Sequence, residues 1–182
     1  MTRLHLVRHG QAAARWDQDH DPGLDEIGRQ QALAVAEELG PLGPLPVVVS
    51  PLRRTRETAA ALEDRWGVTA SVDPAVGEIL SPSDDLAQRT EWLRDMLHHR
   101  WGELDPDLRE WRDRVVAALL AVQTDAVIVT HFVAINAGVG AATDDDRVVC
   151  FRPDNCSCTV LEADDGKLRV IELGHQRQTR VQ

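Results

Sequence analysis

Three short apolar runs limit what this chain can fold into. Leu4-His5-Leu6-Val7 leads to Arg8-His9-Gly10, and Pro46-Val47-Val48-Val49 leads to Ser50, with Arg53 and Arg54 just beyond. Ala126-Val127-Ile128-Val129-Thr130 leads to His131. The second and third runs are rich in β-branched residues, the first is built on Leu and Val, and each closes on a breaker or a polar residue, the pattern of a strand buried on both faces. Such strands belong to parallel sheets covered by helices. Parallel strands share one C-terminal edge, and open α/β sheets bind ligands along it. Two histidines and two or three arginines from distant parts of the chain are thereby expected around one point. A phosphoryl group suits that combination of donors.

The 182 residues, 43% hydrophobic and 27% charged, suit a single domain over 1–182 with a sizeable core. No apolar stretch approaches the roughly 20 residues of a membrane span, and the first strand starts without a basic leader or cleavage site. A cytoplasmic protein without membrane partners is expected. The formal charge of −10 disfavours nucleic acid as a partner. Of the 20 basic residues 19 are Arg, with Lys167 the exception, which together with abundant Ala and Asp fits a GC-rich coding bias. An arginine is therefore informative only through its position. Cys150, Cys156 and Cys158 contain no CxxC, and Cys156-x-Cys158 supplies too few ligands for a zinc site. Asp144-Asp145-Asp146 lacks the turn glycine and distal Glu of a calcium loop and reads as solvated. No metal and no cofactor are expected.

Helical spacing recurs at Leu24, Ile27, Gln31, Ala32, Val35 and Leu39, with Asp25 as N-cap and Gly40 as stop. A Pro/Gly-rich turn over 40–46 precedes the second strand. Arg54 to Trp66 is expected as a helix closed by Gly67, and Val68 to Val72 as a short strand before a loop that carries Glu78. Asp84 to Trp101 and Asp107 to Val122 read as two amphipathic helices, whose Trp92, Trp101 and Trp111 are expected to pack. His131 to Ala142 can be helical, and Ser157–Glu162 with Leu168–Leu173 reads as a hairpin around Asp165-Gly166. The order predicts a three-layer α/β/α sandwich with a mostly parallel sheet and a C-terminal hairpin. Residues 73–123 are expected to form a small helical cap over the C-terminal edge of the sheet.

Phosphoryl transfer needs an in-line nucleophile, spread positive charge and a proton for the leaving oxygen. His9, at a strand end between Arg8 and Gly10, is the candidate nucleophile, and neighbouring arginine charge favours its neutral form. Arg8 and Arg54 offer forks that match phosphate oxygens. His131, with the N–H groups that open the following helix, adds donors suited to an anion. These groups stand in for the charge a metal would bring.

Leu6-Val7-Arg8-His9-Gly10-Gln11 resembles the signature of the histidine phosphatase superfamily, the phosphoglycerate-mutase-like family. Leu24-Asp25-Glu26-Ile27-Gly28-Arg29-Gln30-Gln31-Ala32 resembles its "L-T-x-x-G-x-x-Q-A" segment. The stretch from Ser50 through Leu52, Arg54, Thr58 and Ala59 resembles "S-x-L-x-R-x-x-x-T-A" and selects Arg54 over Arg53, while Val129-Thr130-His131 resembles "V-[ST]-H-G". The resemblance implies a phosphohistidine on His9, a pocket of Arg8, Arg54 and His131, and an acid in the loop at Glu78. Asp73, Asp84 and Asp85 are the alternatives for the acid. Burial beside Ile79 and Leu80 is expected to raise the Glu78 pKa.

Phe132 replaces the Gly that often follows the second His, which narrows the pocket mouth. Ala12 to Ala14 lack the Thr and Asn that many members carry, so one phosphate hydrogen bond is either absent or supplied by Gln11. The 52 residues between Glu78 and His131 are fewer than the family's mutases carry. The expected activity is that of a histidine acid-type phosphatase, a phosphomonoesterase acting on a small phosphorylated metabolite. A phosphoglycerate-mutase-type transferase and a non-catalytic phosphate-binding or scaffolding domain are the other readings. His5, His20, His98, His99 and His175 read as structural or solvated. Full activity is expected to survive exhaustive chelation. Loss of activity that Mg²⁺ or Zn²⁺ restores would contradict a metal-free site.

Overall fold

Alternation along the strands sorts the core into two halves. In the computed structural model, which describes residues 1–15 and 18–176, β1 (Thr2–Arg8) turns Leu4 and Leu6 to one face of the sheet and Val7 to the other. β4 (Ala126–Thr130) does the same with Ile128 against Val127 and Val129. All six of these residues are fully buried, as a period of two demands of a strand covered on both sides.

β2 (Val47–Val49) and β3 (Ser71–Val72) complete the parallel part of the sheet, and β5 (Cys158–Asp164) and β6 (Lys167–Glu172) add an antiparallel hairpin. Among the described residues the strands lie in the order β3-β2-β4-β1-β5-β6. The hairpin turns at Asp165 and Gly166, both in the left-handed region at φ 48° and 72°, which Asp and Gly tolerate.

α1 (Glu26–Leu39) and α2 (Arg53–Trp66) cover the face that carries Val7, Val127 and Val129, through Ala32, Val35, Leu39, Ala59 and Leu62. α4 (Pro106–Ala121) and α5 (Phe132–Thr143) cover the other face, where Trp111, Val115 and Leu119 pack with Ile135, Leu6 and Ile128. Helices on both faces of a mixed sheet make the α/β/α sandwich. α3 (Leu86–Met96) buries Leu93 and Met96 against the second core. No helix among the described residues is long and apolar enough to cross a membrane.

Local differences from the sequence reading have local causes. Asp25 caps α1 as expected, its carboxylate accepting from Gly28 N, but Gly40 is right-handed and opens a single 3₁₀ turn over Gly40–Leu42. Pro41 follows it, and a residue without an N–H is tolerated there. The strand expected at 68–72 pairs only at Ser71–Val72. The helix expected at 84–101 ends at Met96, after which the backbone tightens until Trp101 N donates to Asp146 O at 2.8 Å. Trp101 is held there in the core, stacked on Trp111 with ring centroids 6.0 Å apart.

One close approach fixes the start of α1 against the end of β1. A Cβ at Gly28 would overlap the carbonyl oxygen of Gln11, and one at Gly10 would lie 2.6 Å from Gly28 O. Both obstacles are backbone, so neither can swing aside. Gly28→Ala is therefore expected to lose stability, because overpacking costs about 1–3 kcal/mol against a helix-propensity gain of at most ~1 kcal/mol. A lowered urea midpoint is the check. An unchanged or raised midpoint would mean that the loop yields.

Candidate active site

Arg8 ends β1 and pairs with Thr130 at the end of β4. His9 and His131 therefore leave the sheet from adjacent strands, with ring centroids 5.4 Å apart. Arg54 enters from the first turn of α2, which follows β2 on the other side of β4. Glu78 comes from the loop after β3, just beyond a 3₁₀ turn over Pro74–Val76 that Asp73 caps. Thr130 ties this turn to the sheet by donating from Oγ1 to Val76 O at 2.6 Å. Four elements thus bring four expected residues together, and all four are buried.

Hydrogen bonding settles the tautomer of His9. Its Nδ1 lies 2.7 Å from Gly10 O, and a carbonyl only accepts, so Nδ1 carries the proton. Nε2 is then the lone-pair nitrogen, and Arg54 Nε donates to it at 3.2 Å. Burial, followed by the charges of His131, Arg54 and Arg8, holds the His9 pKa well below its ordinary 6.5. The imidazole is neutral at physiological pH, with Nε2 aimed into a cationic cluster.

Arg54 Nη2 also donates to Glu78 Oε2 at 3.3 Å, and His131 Nδ1 lies 3.3 Å from the same oxygen. The carboxylate accepts, which leaves His131 Nε2 to take the Ser50 hydroxyl at 2.7 Å. Burial dominates the His131 pKa and lowers it in spite of Glu78.

Glu78 departs from expectation. Burial pushes its pKa up, but His131, by charge and by hydrogen bond, and then Arg54 outweigh that and hold it down at about 2. Of its expected apolar neighbours, Ile79 is buried while Leu80 is 79% exposed. As it stands, Glu78 is a carboxylate, not a standing acid.

The remaining expected residues surround this cluster. Arg8 donates from Nη1 to Pro153 O at 2.9 Å, and its guanidinium lies 5.3 Å from the centre of the Phe132 ring. Phe132 thus flanks an arginine. Gln11 directs Nε2 to Asp25 Oδ2 at 2.8 Å, so its amide secures the α1 cap. Arg53, the rejected alternative to Arg54, is exposed and paired with Glu57. Among the described residues no three His, Cys, Asp or Glu side chains group as metal donors. α5 begins at His131 with no side-chain cap, leaving the positive end of its dipole beside the cluster.

Four supporting groups escaped the sequence reading as site residues. Ser50 orients His131, and Thr58 accepts from Gly10 N at 3.0 Å while donating to Arg54 O at 2.7 Å. Both stood in a quoted motif, which was the available signal. Asn155 donates from Nδ2 to His9 O at 2.9 Å, and the Pro153 carbonyl holds Arg8. These two lie in an irregular loop whose spacing gives no hint of where it returns.

The chain belongs to the histidine phosphatase superfamily (branch 1), whose match extends over residues 4–176. Over 80 residues it is 44% identical to a glucosyl-3-phosphoglycerate phosphatase of Mycolicibacterium vanbaalenii, covering 42% of this chain and 36% of that protein. The match therefore spans little more than a third of that relative's length. A probable phosphoglycerate mutase GpmB of Yersinia pestis is 31% identical over 154 residues, 74% of this chain and 72% of that protein. Among solved structures, a mycobacterial glucosyl-3-phosphoglycerate phosphatase complexed with VO3 superposes with a TM-score of 0.71 at 27% identity, covering 94% of this chain and 98% of that one. Mycobacterial hydrolase 1 gives a TM-score of 0.75 at 26% identity, covering 97% and 100%.

The buried histidines predict how stability responds to pH. The folded pKa values of His9, His131 and His5 all lie below 6.5. As pH falls through about 6.5, the unfolded chain binds protons that the folded chain refuses, so stability falls. Glu78 adds a further loss between its ordinary 4.5 and about 2. The Tm is expected to drop steadily from pH 7.5 to 5.5, and His9→Gln is expected to flatten that slope. A Tm that rises over this range would overturn the assignment of neutral buried histidines.

Proposed function

We propose that the chain is a metal-independent phosphomonoesterase for a small phosphorylated metabolite, acting through a phosphohistidine on His9. The observation that carries this reading is the neutral His9, with its Nε2 lone pair facing Arg54 inside a buried cluster of Arg54, Glu78 and His131. The relatives named as phosphatases and the family membership support it.

In the first step the Nε2 lone pair forms a bond to phosphorus. The bond to the leaving oxygen breaks, and its electron pair stays on that oxygen, which takes a proton from Glu78. Arg8, Arg54 and His131 hold the equatorial oxygens. In the second step Glu78 accepts a proton from water as the water attacks phosphorus. The N–P bond breaks, its electron pair returns to Nε2, and inorganic phosphate leaves.

A carboxyl with a pKa of about 2 has to be loaded with a proton first. Substrate binding does this. The bound phosphate draws Arg54 and His131 to itself and brings negative charge beside a carboxylate whose burial is then unopposed. Each change raises the Glu78 pKa. Glu78 is thus an acid only when substrate is present. Of residues 73–123, expected as a cap, the loop that carries Glu78 borders the site, whereas α4 is one of the helices that cover a face of the sheet. The mutase reading differs only in the acceptor of the second step, an alcohol oxygen in place of water.

Brief incubation with labelled substrate is expected to leave an acid-labile, alkali-stable label on the wild type and none on His9→Ala. Label on a Ser, Asp or Cys would exclude the mechanism, and transfer to a second hydroxyl of the substrate without release of phosphate would favour the mutase. Glu78→Gln is expected to slow alkyl phosphates by about 10²–10⁴-fold, the usual worth of general acid–base help, and p-nitrophenyl phosphate much less. Equal losses on both would reduce Glu78 to a binding group and pass the acid to Asp73, Asp84 or Asp85.

A further inference from the structure

A cavity of about 450 Å³ opens beside Glu78, and neither His9 nor Arg8 lines it. In-line displacement places the leaving oxygen on the far side of phosphorus from His9 Nε2, and a proton donor has to touch that oxygen. If Glu78 is that donor, the alcohol moiety extends from the Glu78 side of the phosphate and enters this cavity. The inference thus rests on the phosphatase reading above.

The walls define what fits. Leu52, Ile79, Leu80 and Trp111 give the cavity a mainly apolar surface. Trp111 is only 9% exposed and is fixed by its stacking on Trp101, so this wall is preformed. Leu80 is 79% exposed at the cavity, a large apolar side chain that loses contact with water when an apolar group lies against it. The charged lining residues are offset without Glu78, which is neutral as the acid: Arg89 is matched by Asp84, and Arg114 pairs with Glu110 at 3.4 Å. Such a lining presents no field of one sign to a second anionic group. The volume lies within the roughly 300–1,000 Å³ of small-molecule sites and exceeds what a three-carbon acid fills.

We propose that this cavity is the leaving-group subsite, that the substrates are phosphate monoesters of uncharged, largely apolar alcohols about the size of a substituted ring, and that Leu80 determines specificity. The test compares 2-phenylethyl phosphate with glycerol 3-phosphate and 3-phosphoglycerate, in the wild type and in Leu80→Ser. The altered residue is exposed, which spares the fold. The phenylethyl ester is expected to exceed both others in kcat/KM by at least about tenfold, the order a hydrophobic pocket supplies. Leu80→Ser is expected to erase most of that advantage through KM and to leave glycerol 3-phosphate unchanged. A second arm measures binding of 2-phenylethylphosphonate and methylphosphonate, neither of which can turn over. The larger is expected to bind more tightly, and Leu80→Ser to remove the difference. Equal Kd values, or a preference for 3-phosphoglycerate, would overturn the subsite. Tight, Leu80-dependent phosphonate binding without hydrolysis of any ester would uphold the subsite and overturn the phosphatase reading instead.

Discussion

Five consecutive residues of β1 pair in parallel with five of β4, from Leu4 opposite Ala126 to Arg8 opposite Thr130, and the site depends on that register. His9 N donates to Thr130 O at 3.0 Å, which carries the pairing one residue past the strand and holds the two histidines side by side. β2 continues the alignment on the other side, with Val49 opposite Val129 and Ser50 N donating to Val129 O at 3.2 Å. A slip of one residue would exchange the two faces of a strand buried on both sides. It would turn Leu4 and Leu6 out of the core they share with Ile128 and separate His9 from His131. The packing that stabilises the sheet is therefore also what aligns the chemistry.

Upon this alignment rests an arrangement that folding alone would not favour. The side chains of Arg54 and Glu78 are each 3% exposed and that of His131 is 0%. Desolvating charges costs several kcal/mol per ion, and such pairs often add nothing to stability. Ser50 satisfies the second ring nitrogen of His131, while Thr58 and Asn155 satisfy backbone groups of Gly10, Arg54 and His9 beside the cluster. A buried carboxylate held by the Arg54 guanidinium and the His131 ring N–H is also bistable in charge. It stays ionised while those donors face it and becomes basic once a phosphate engages them. In the proposed reaction, the low pKa of the resting state and the acid are then two states of one group.

Much of the fold and most of the cluster could be read in the chain. Strands 4–7, 47–49 and 126–130, the cap at Asp25 and the αL stop at Gly67 follow from periodicity and from rules that act within a few residues. Arg8, His9 and His131 could be assigned because each lies at or just past a strand end, where the parallel-sheet rule converts sequence position into place, and Arg54 because the motif resemblance selects it over Arg53. Glu78 was locatable by its loop, but its charge state was not. The apolar neighbours at 79 and 80 suggested a raised pKa, whereas Arg54 and His131, which decide it, arrive from distant elements.

The sequence by itself determined the alternation that buries both faces of the central strands, the helix boundaries set by Asp25 and Gly67, and the residue types gathered at one sheet edge. Tertiary structure alone decided the rest. It set the tautomer of His9, the ionisation of Glu78, the engagement of Gln11 with Asp25, and the support from Pro153 and Asn155. It also set Leu80 beside a cavity walled by Trp111. Local propensity acts over three or four residues and is written along the chain. Electrostatics and cavity shape act through space, between groups whose distance in sequence says nothing about their distance in the fold.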